Sequence, residues 1–105
     1  MLIGQTLEGK KIVQVIASGP TSYTTGGFTV TLGELRSIHS VSVSVRANAR
    51  ANDLVRQVDY SVSGNTLTVR VYQINTTTAS PTTWAEVPAG TNLSSLVLEI
   101  VAIGI

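Results

Sequence analysis

An all-β fold is what this sequence predicts: a single antiparallel β-sandwich or barrel-like domain of about seven or eight short strands over residues 1–105. Three observations lead there. Apolar and polar residues alternate with a period of two in several runs, most clearly FTVTL and VSVSV. Clusters of Gly, Pro, Asn and Ser separate these runs, and helical periodicity is scarce. The stretch VRQVDYSVSGNTLTVRVYQI, from Val55 to Ile74, reads as a hairpin turning at Gly64-Asn65.

Lys10-Lys11 leads into IVQVIA (residues 12–17), the first predicted strand, apolar on both faces. Ser18-Gly19-Pro20 ends it, because proline has no amide hydrogen to donate to a ladder. Residues 21–27 are polar, with Tyr23 their only large side chain. Gly26-Gly27 then opens FTVTL, in which Phe28, Val30 and Leu32 share one face and Thr29 and Thr31 the other. Gly33 to Arg36 reads as a short connection with room for one turn of helix. A strand from Ser37 to Val45 follows, with Val41, Val43 and Val45 inward; Ile38 is out of phase with them, which predicts a bulge near His39-Ser40. RANARAN (46–52) reads as a loop between strands, again with room for a helical turn.

The central hairpin comes next, and its turn sets its register. If Ser63 and Thr66 close the turn, Val62 faces Leu67, Tyr60 faces Val69 and Val58 faces Val71 on one side. On the other side Ser61 meets Thr68 and Asp59 meets Arg70, an opposite-charge pair. Further out the same polar side turns apolar, pairing Gln57 with Tyr72 and Val55 with Ile74. A face that simply met water has no reason to change character there, so this end is expected to be covered by the fold or by another subunit. NTTTASPTT (75–83) is a low-complexity polar loop, and Trp84 and Val87 flank a short extended piece. The last run, LVLEIVAIGI, is the most apolar; it predicts a central strand, or one with a face against a neighbour, with its Ile103-Gly104-Ile105 end buried.

Only 12% of the residues are charged, about half the roughly 25% usual for soluble domains, so partners are expected to cover much of the surface. Mean hydropathy is +0.29. The net charge of +1 provides no field to attract nucleic acid or an anionic membrane. With no cysteine there is neither a disulfide framework nor a thiolate ligand. The first residues lack a signal-peptide pattern and the last ten are too short to span a bilayer, which predicts a soluble intracellular product or one released by lysis.

The residue inventory argues against catalysis, a cofactor or a metal. His39 is the only histidine, and no Gly-x-Ser-x-Gly elbow accompanies it. Of the six carboxylates, Asp59 has a partner in Arg70 and Glu99 sits mid-strand, leaving little for a glycosidase pair. Arg46, Arg50 and Arg56 form a basic cluster without interleaved aromatics, which suits a solvated loop or an acidic protein surface better than nucleic acid. Tyr23, Tyr72 and Trp84 would suit a sugar-stacking platform, though packing in a core or interface accounts for them too.

Three segments in order, GGFTVTLGELRSIHSVSVSV, YSVSGNTLTVRVY and EVPAGTNLSSLVLEIVAIGI, give the chain a likeness. It resembles the small all-β virion structural proteins of tailed phages, of the capsid decoration or head auxiliary type. The likeness covers residues 26–105; RANARAN and the Thr/Ser loop fall outside the shared pattern. It implies a non-enzymatic protein, made in the host cytoplasm, that binds the major capsid protein on the outer surface of the virion and stabilises the shell. It also implies a homo-oligomer, most often a trimer. Within that reading, subunit contacts are expected at Val55, Tyr72 and Ile74, and capsid contact at Arg46, Arg50 and Arg56. The alternative is a carbohydrate-binding module on a phage tail or a secreted enzyme.

Overall fold

The computed structural model describes residues 2–5, 9–51, 54–75 and 84–105. Among the described residues, nine antiparallel strands form two sheets. Seven have four or more residues: β1 (Leu2–Gln5), β2 (Lys11–Ser18), β3 (Phe28–Thr31), β4 (Ile38–Ala47), β6 (Leu54–Ser63), β7 (Thr66–Asn75) and β9 (Val97–Gly104). Two are two-residue strands, β5 (Arg50–Ala51) and β8 (Ala85–Glu86). The first sheet runs β1-β2-β9-β4; the second runs β3-β7-β6-β5, with β8 on β7. The architecture is an open β-sandwich, not a closed barrel, and no helix occurs among the described residues.

Both inner faces follow from alternation. β9 sends Leu98, Ile100 and Ala102 inward between Val13 and Val15 of β2 and Val41, Val43 and Val45 of β4. β7 answers with Leu67, Val69 and Val71, flanked by Phe28 and Val30 of β3 and Val58 and Tyr60 of β6. The apolar last run is thus the central strand of its sheet. Its end is only partly covered: Gly104 is buried, but Ile105 is 41% exposed because alternation turns it outward with Ile103.

The hairpin register is the expected one at every pair, from Ser63↔Thr66 out to Val55↔Ile74. Gly64 takes a φ of 62° while Asn65 does not enter the left-handed region, the pattern of a type II′ turn. That turn also docks: Ile38 donates its N–H to the Gly64 carbonyl at 2.9 Å, and the Asn65 amide donates to the Leu35 carbonyl at 3.0 Å. The bulge near His39-Ser40 is present, between Ile38 and Ser40, and a second lies between Val45 and Ala47.

Four expectations are corrected. A strand, β1, precedes the one expected first. Residues 33–36 form a tight turn closed by Leu35 N–H to the Leu32 carbonyl at 3.0 Å, with no helical turn. RANARAN is not a loop: Arg46 and Ala47 end β4, Arg50 and Ala51 form β5, and only residues 48–49 lie between. Asn48, at a φ of 63°, makes the corner by which one nearly continuous strand leaves the first sheet and joins the second. Asn75 is the last residue of β7, not loop; the rest of the expected Thr/Ser loop, 76–83, lies outside the described residues, as does Asn52 of RANARAN.

Candidate interaction surface

The core and the strands do not end together. Among the described residues, the packed apolar cluster reaches Val45, Val58, Val71 and Val87 and goes no further in this direction. β6 extends four residues beyond it and β7 another four, with β5 and β8 at their sides. This thin arm agrees with a molecule measuring 52 × 21 × 21 Å, whose radius of gyration, 15.2 Å, exceeds the about 13 Å of a compact domain this size.

One face of the arm is apolar, and none of the described residues forms a core against it. Val55 pairs with Ile74 and Gln57 with Tyr72; Val55, Tyr72 and Ile74 are all half-buried. Arg50 lies opposite Val55 and so shares that face, and Glu86 lies opposite Tyr72. Trp84, 39% exposed, immediately precedes β8, and the alternation of that strand sets it on the side of Glu86 and Tyr72.

The structure brings Val55, Tyr72 and Ile74 together but separates the three arginines. Arg46 lies on the outer face of the first sheet, 3.6 Å from Glu99. Arg50 joins the apolar arm face. Arg56 is on the arm's other side, where its Nε donates to the Gln73 side-chain oxygen at 3.4 Å. The sheet switch at residues 48–49 separates the first from the other two, and strand alternation separates those. Tyr23 is buried, so it cannot share an exposed stacking platform with Trp84. His39 is exposed at its bulge, and the described residues hold no metal-binding cluster and no cavity.

A joint that the sequence did not reveal holds β8 in place. Along one edge of β7, β3 covers residues up to Val69 and β8 begins at Tyr72. Tyr23 fills the gap: Val71 donates its N–H to the phenol oxygen at 3.1 Å, and the phenol donates to Glu86 Oε2 at 2.7 Å. Gly26 N–H donates to the same carboxylate oxygen at 2.8 Å, and Val87 N–H donates to the Val71 carbonyl at 2.9 Å. The one signal in the sequence was a lone large side chain in an otherwise polar stretch. Burial, then the bond to Glu86, push the Tyr23 phenol up to about 12. The same bond, with that from Gly26, holds the Glu86 carboxyl below its ordinary value.

These shifts oppose each other in pH. Glu86 contributes fully above the ordinary carboxylate range, and that contribution fades as pH falls through the lowered folded value. Tyr23 contributes fully below its unfolded value of 10.0, and loses its contribution as pH rises toward about 12. Melting temperature should therefore plateau at neutral pH and fall on both flanks. Tyr23→Phe strands the buried Val71 N–H, which costs about 1–3 kcal/mol. That corresponds to roughly 5–15 °C in Tm, with both pH flanks flattened. Scanning calorimetry across pH checks this; flanks as steep as in the parent would remove Tyr23–Glu86 as their cause.

No family model, no curated protein and no solved structure matches the chain.

Proposed function

We propose that this chain is a non-enzymatic virion structural protein, a capsid decoration protein that assembles as a homotrimer and stabilises a phage head shell from outside. The observation that carries the reading is the arm. Strands that outrun their core and carry Val55, Tyr72 and Ile74 on one face are suited to burial against another chain. Sparse charge, 12%, points the same way. Arg50 is the arginine positioned to border such a contact. A trimer holds its target at several points at once, so weak single contacts become durable through effective concentration.

Tyr72→Ser with Ile74→Ser should lower the solution mass to about a third of the parent's, the fall expected when a three-fold contact is lost. Light scattering coupled to size exclusion reads the mass, and circular dichroism confirms that the sheets persist. An unchanged mass would overturn the assignment of this face.

Exposed Trp84, just before the strand that pairs with Tyr72, supports a second reading, a carbohydrate-binding module. It expects quenching of Trp84 fluorescence by a polysaccharide from a broad glycan panel. No quenching, together with the loss of mass above, favours the first reading.

A further inference from the structure

Among the described residues, every sheet edge but one is protected. An open edge offers unpaired N–H and C=O groups to other strands, and proteins blunt it by shortness, bulges or proline. β1 and β3 have four residues each, β5 and β8 have two, and β4 is bulged near both ends. β6 has none of these devices. β5 covers it at Leu54 and Val55, and the last bond on that side runs from Arg56 N–H to the Ala49 carbonyl at 2.8 Å. From Gln57 to Ser63 the ladder to β7 is regular, and no described strand pairs with the other side. Alternation from Arg56 turns the N–H and C=O groups of Val58, Tyr60 and Val62 to that open side. Val62 shares the inner face with Val58 and Tyr60, yet it is 41% exposed for want of a flanking strand.

We propose that this edge of β6 pairs with the same edge of a second copy of this chain, antiparallel about a two-fold axis at Tyr60. The free stretch is bounded by β5 at one end and by the Gly64-Asn65 turn at the other, and Tyr60 is its centre. Tyr60 is also edge-facing, so it meets its own counterpart, and Val58 meets Val62, as hydrogen-bonded pairs; the whole stretch then gives about six backbone bonds. The neighbouring registers do worse. Pairing about Asp59 would set that carboxylate against itself, and pairing about Ser61 would leave Gln57 and Val58 opposite the partner's turn. About Tyr60 the outer face matches Asp59 with Ser61 and opposes no like charges, while each Asp59 keeps its own Arg70 at 3.3 Å. On the inner face Val62 gains Val58 of the second copy as the flank it lacks. The two Tyr60 rings lie side by side there, each donating to its own Val41 carbonyl at 3.2 Å.

The inference does not depend on the arm, whose apolar face is separate from this edge. Losing the edge contact divides the solution mass by about two, and losing the arm contact by about three.

The chain has no cysteine, so introduced thiols test the register directly. Asp59 and Ser61 face each other across the axis as a non-bonded pair, with Cα atoms about 4.5 Å apart, within disulfide reach. Asp59→Cys combined with Ser61→Cys should therefore give a covalent dimer under mild oxidation. The matching pair on the opposite edge of the same sheet, Thr29→Cys with Thr31→Cys, should not. Val62→Pro is the second variant. It removes an edge-facing N–H and none that bonds β7, so the β-sheet dichroism should persist while the mass falls by about half. No more dimer from the Asp59 and Ser61 thiols than from those on β3, or an unchanged mass for Val62→Pro, would overturn the proposal and leave the arm assignment standing.

Discussion

Replacing Gly27 with valine should cost about 3–5 kcal/mol, most of the stability of a domain this small. Two effects act together. Gly27 has a φ of 106°, where an L side chain is strained. A Cβ there would also run into the Val69 carbonyl, backbone of the strand that β3 must pair with. Backbone in a ladder cannot swing aside as a side-chain tip can, so β3 would have to lift from β7. Gly26 is the internal control: its φ is 98°, but a Cβ there meets nothing within 4 Å. Gly26→Val therefore carries the strain without the collision, about 1–3 kcal/mol. Urea titration separates them, with the Gly27→Val midpoint about 2–3 M below the parent's at unchanged slope. Equal losses at both glycines would mean that strain, not the approach to Val69, governs the site.

Ile100→Ala should cost about 2–5 kcal/mol, through lost transfer energy and the cavity left behind. Ile100 is wholly buried in the central strand of the first sheet, with Val15 and Val43 at its sides and the second sheet beneath. Those neighbours belong to rigid ladders and cannot collapse into the space. Val62→Ala offers the contrast. Alternation places Val62 on the inner side of β6 with Val58 and Tyr60, yet it is 41% exposed while Leu67 opposite it is buried, because β3 flanks β7 there and β5 reaches only Leu54 and Val55 of β6. Its truncation should cost about 1 kcal/mol or less. Chemical denaturation of the two variants checks the difference, and comparable losses would mean that the core reaches the outer edge of β6.

Placement, more than residue chemistry, shaped what could be read of the candidate surface. Val55, Tyr72 and Ile74 were found together because one turn propagates its register along both strands. Arg46, Arg50 and Arg56 looked like a cluster because they are close in sequence; strand alternation and the corner at Asn48 distribute them over three surfaces. Trp84 reached the arm face only because β8 returns to β7, and that return depends on Tyr23 and Glu86, which are 63 residues apart.

The sequence by itself determined the fold class, the register of the central hairpin, the Asp59–Arg70 pair at 3.3 Å and the bulge beside His39. All of these are local: a period of two, a turn geometry and a phase slip act over a few residues and need no knowledge of what lies opposite. Only the tertiary structure decided that a strand would change sheets at Asn48, that a phenol would fill a gap in the edge of β7, and that apolar residues would form an arm beyond the core. Those outcomes are set by which backbone groups and faces remain unsatisfied after the two sheets have packed, and no short window of sequence contains that information.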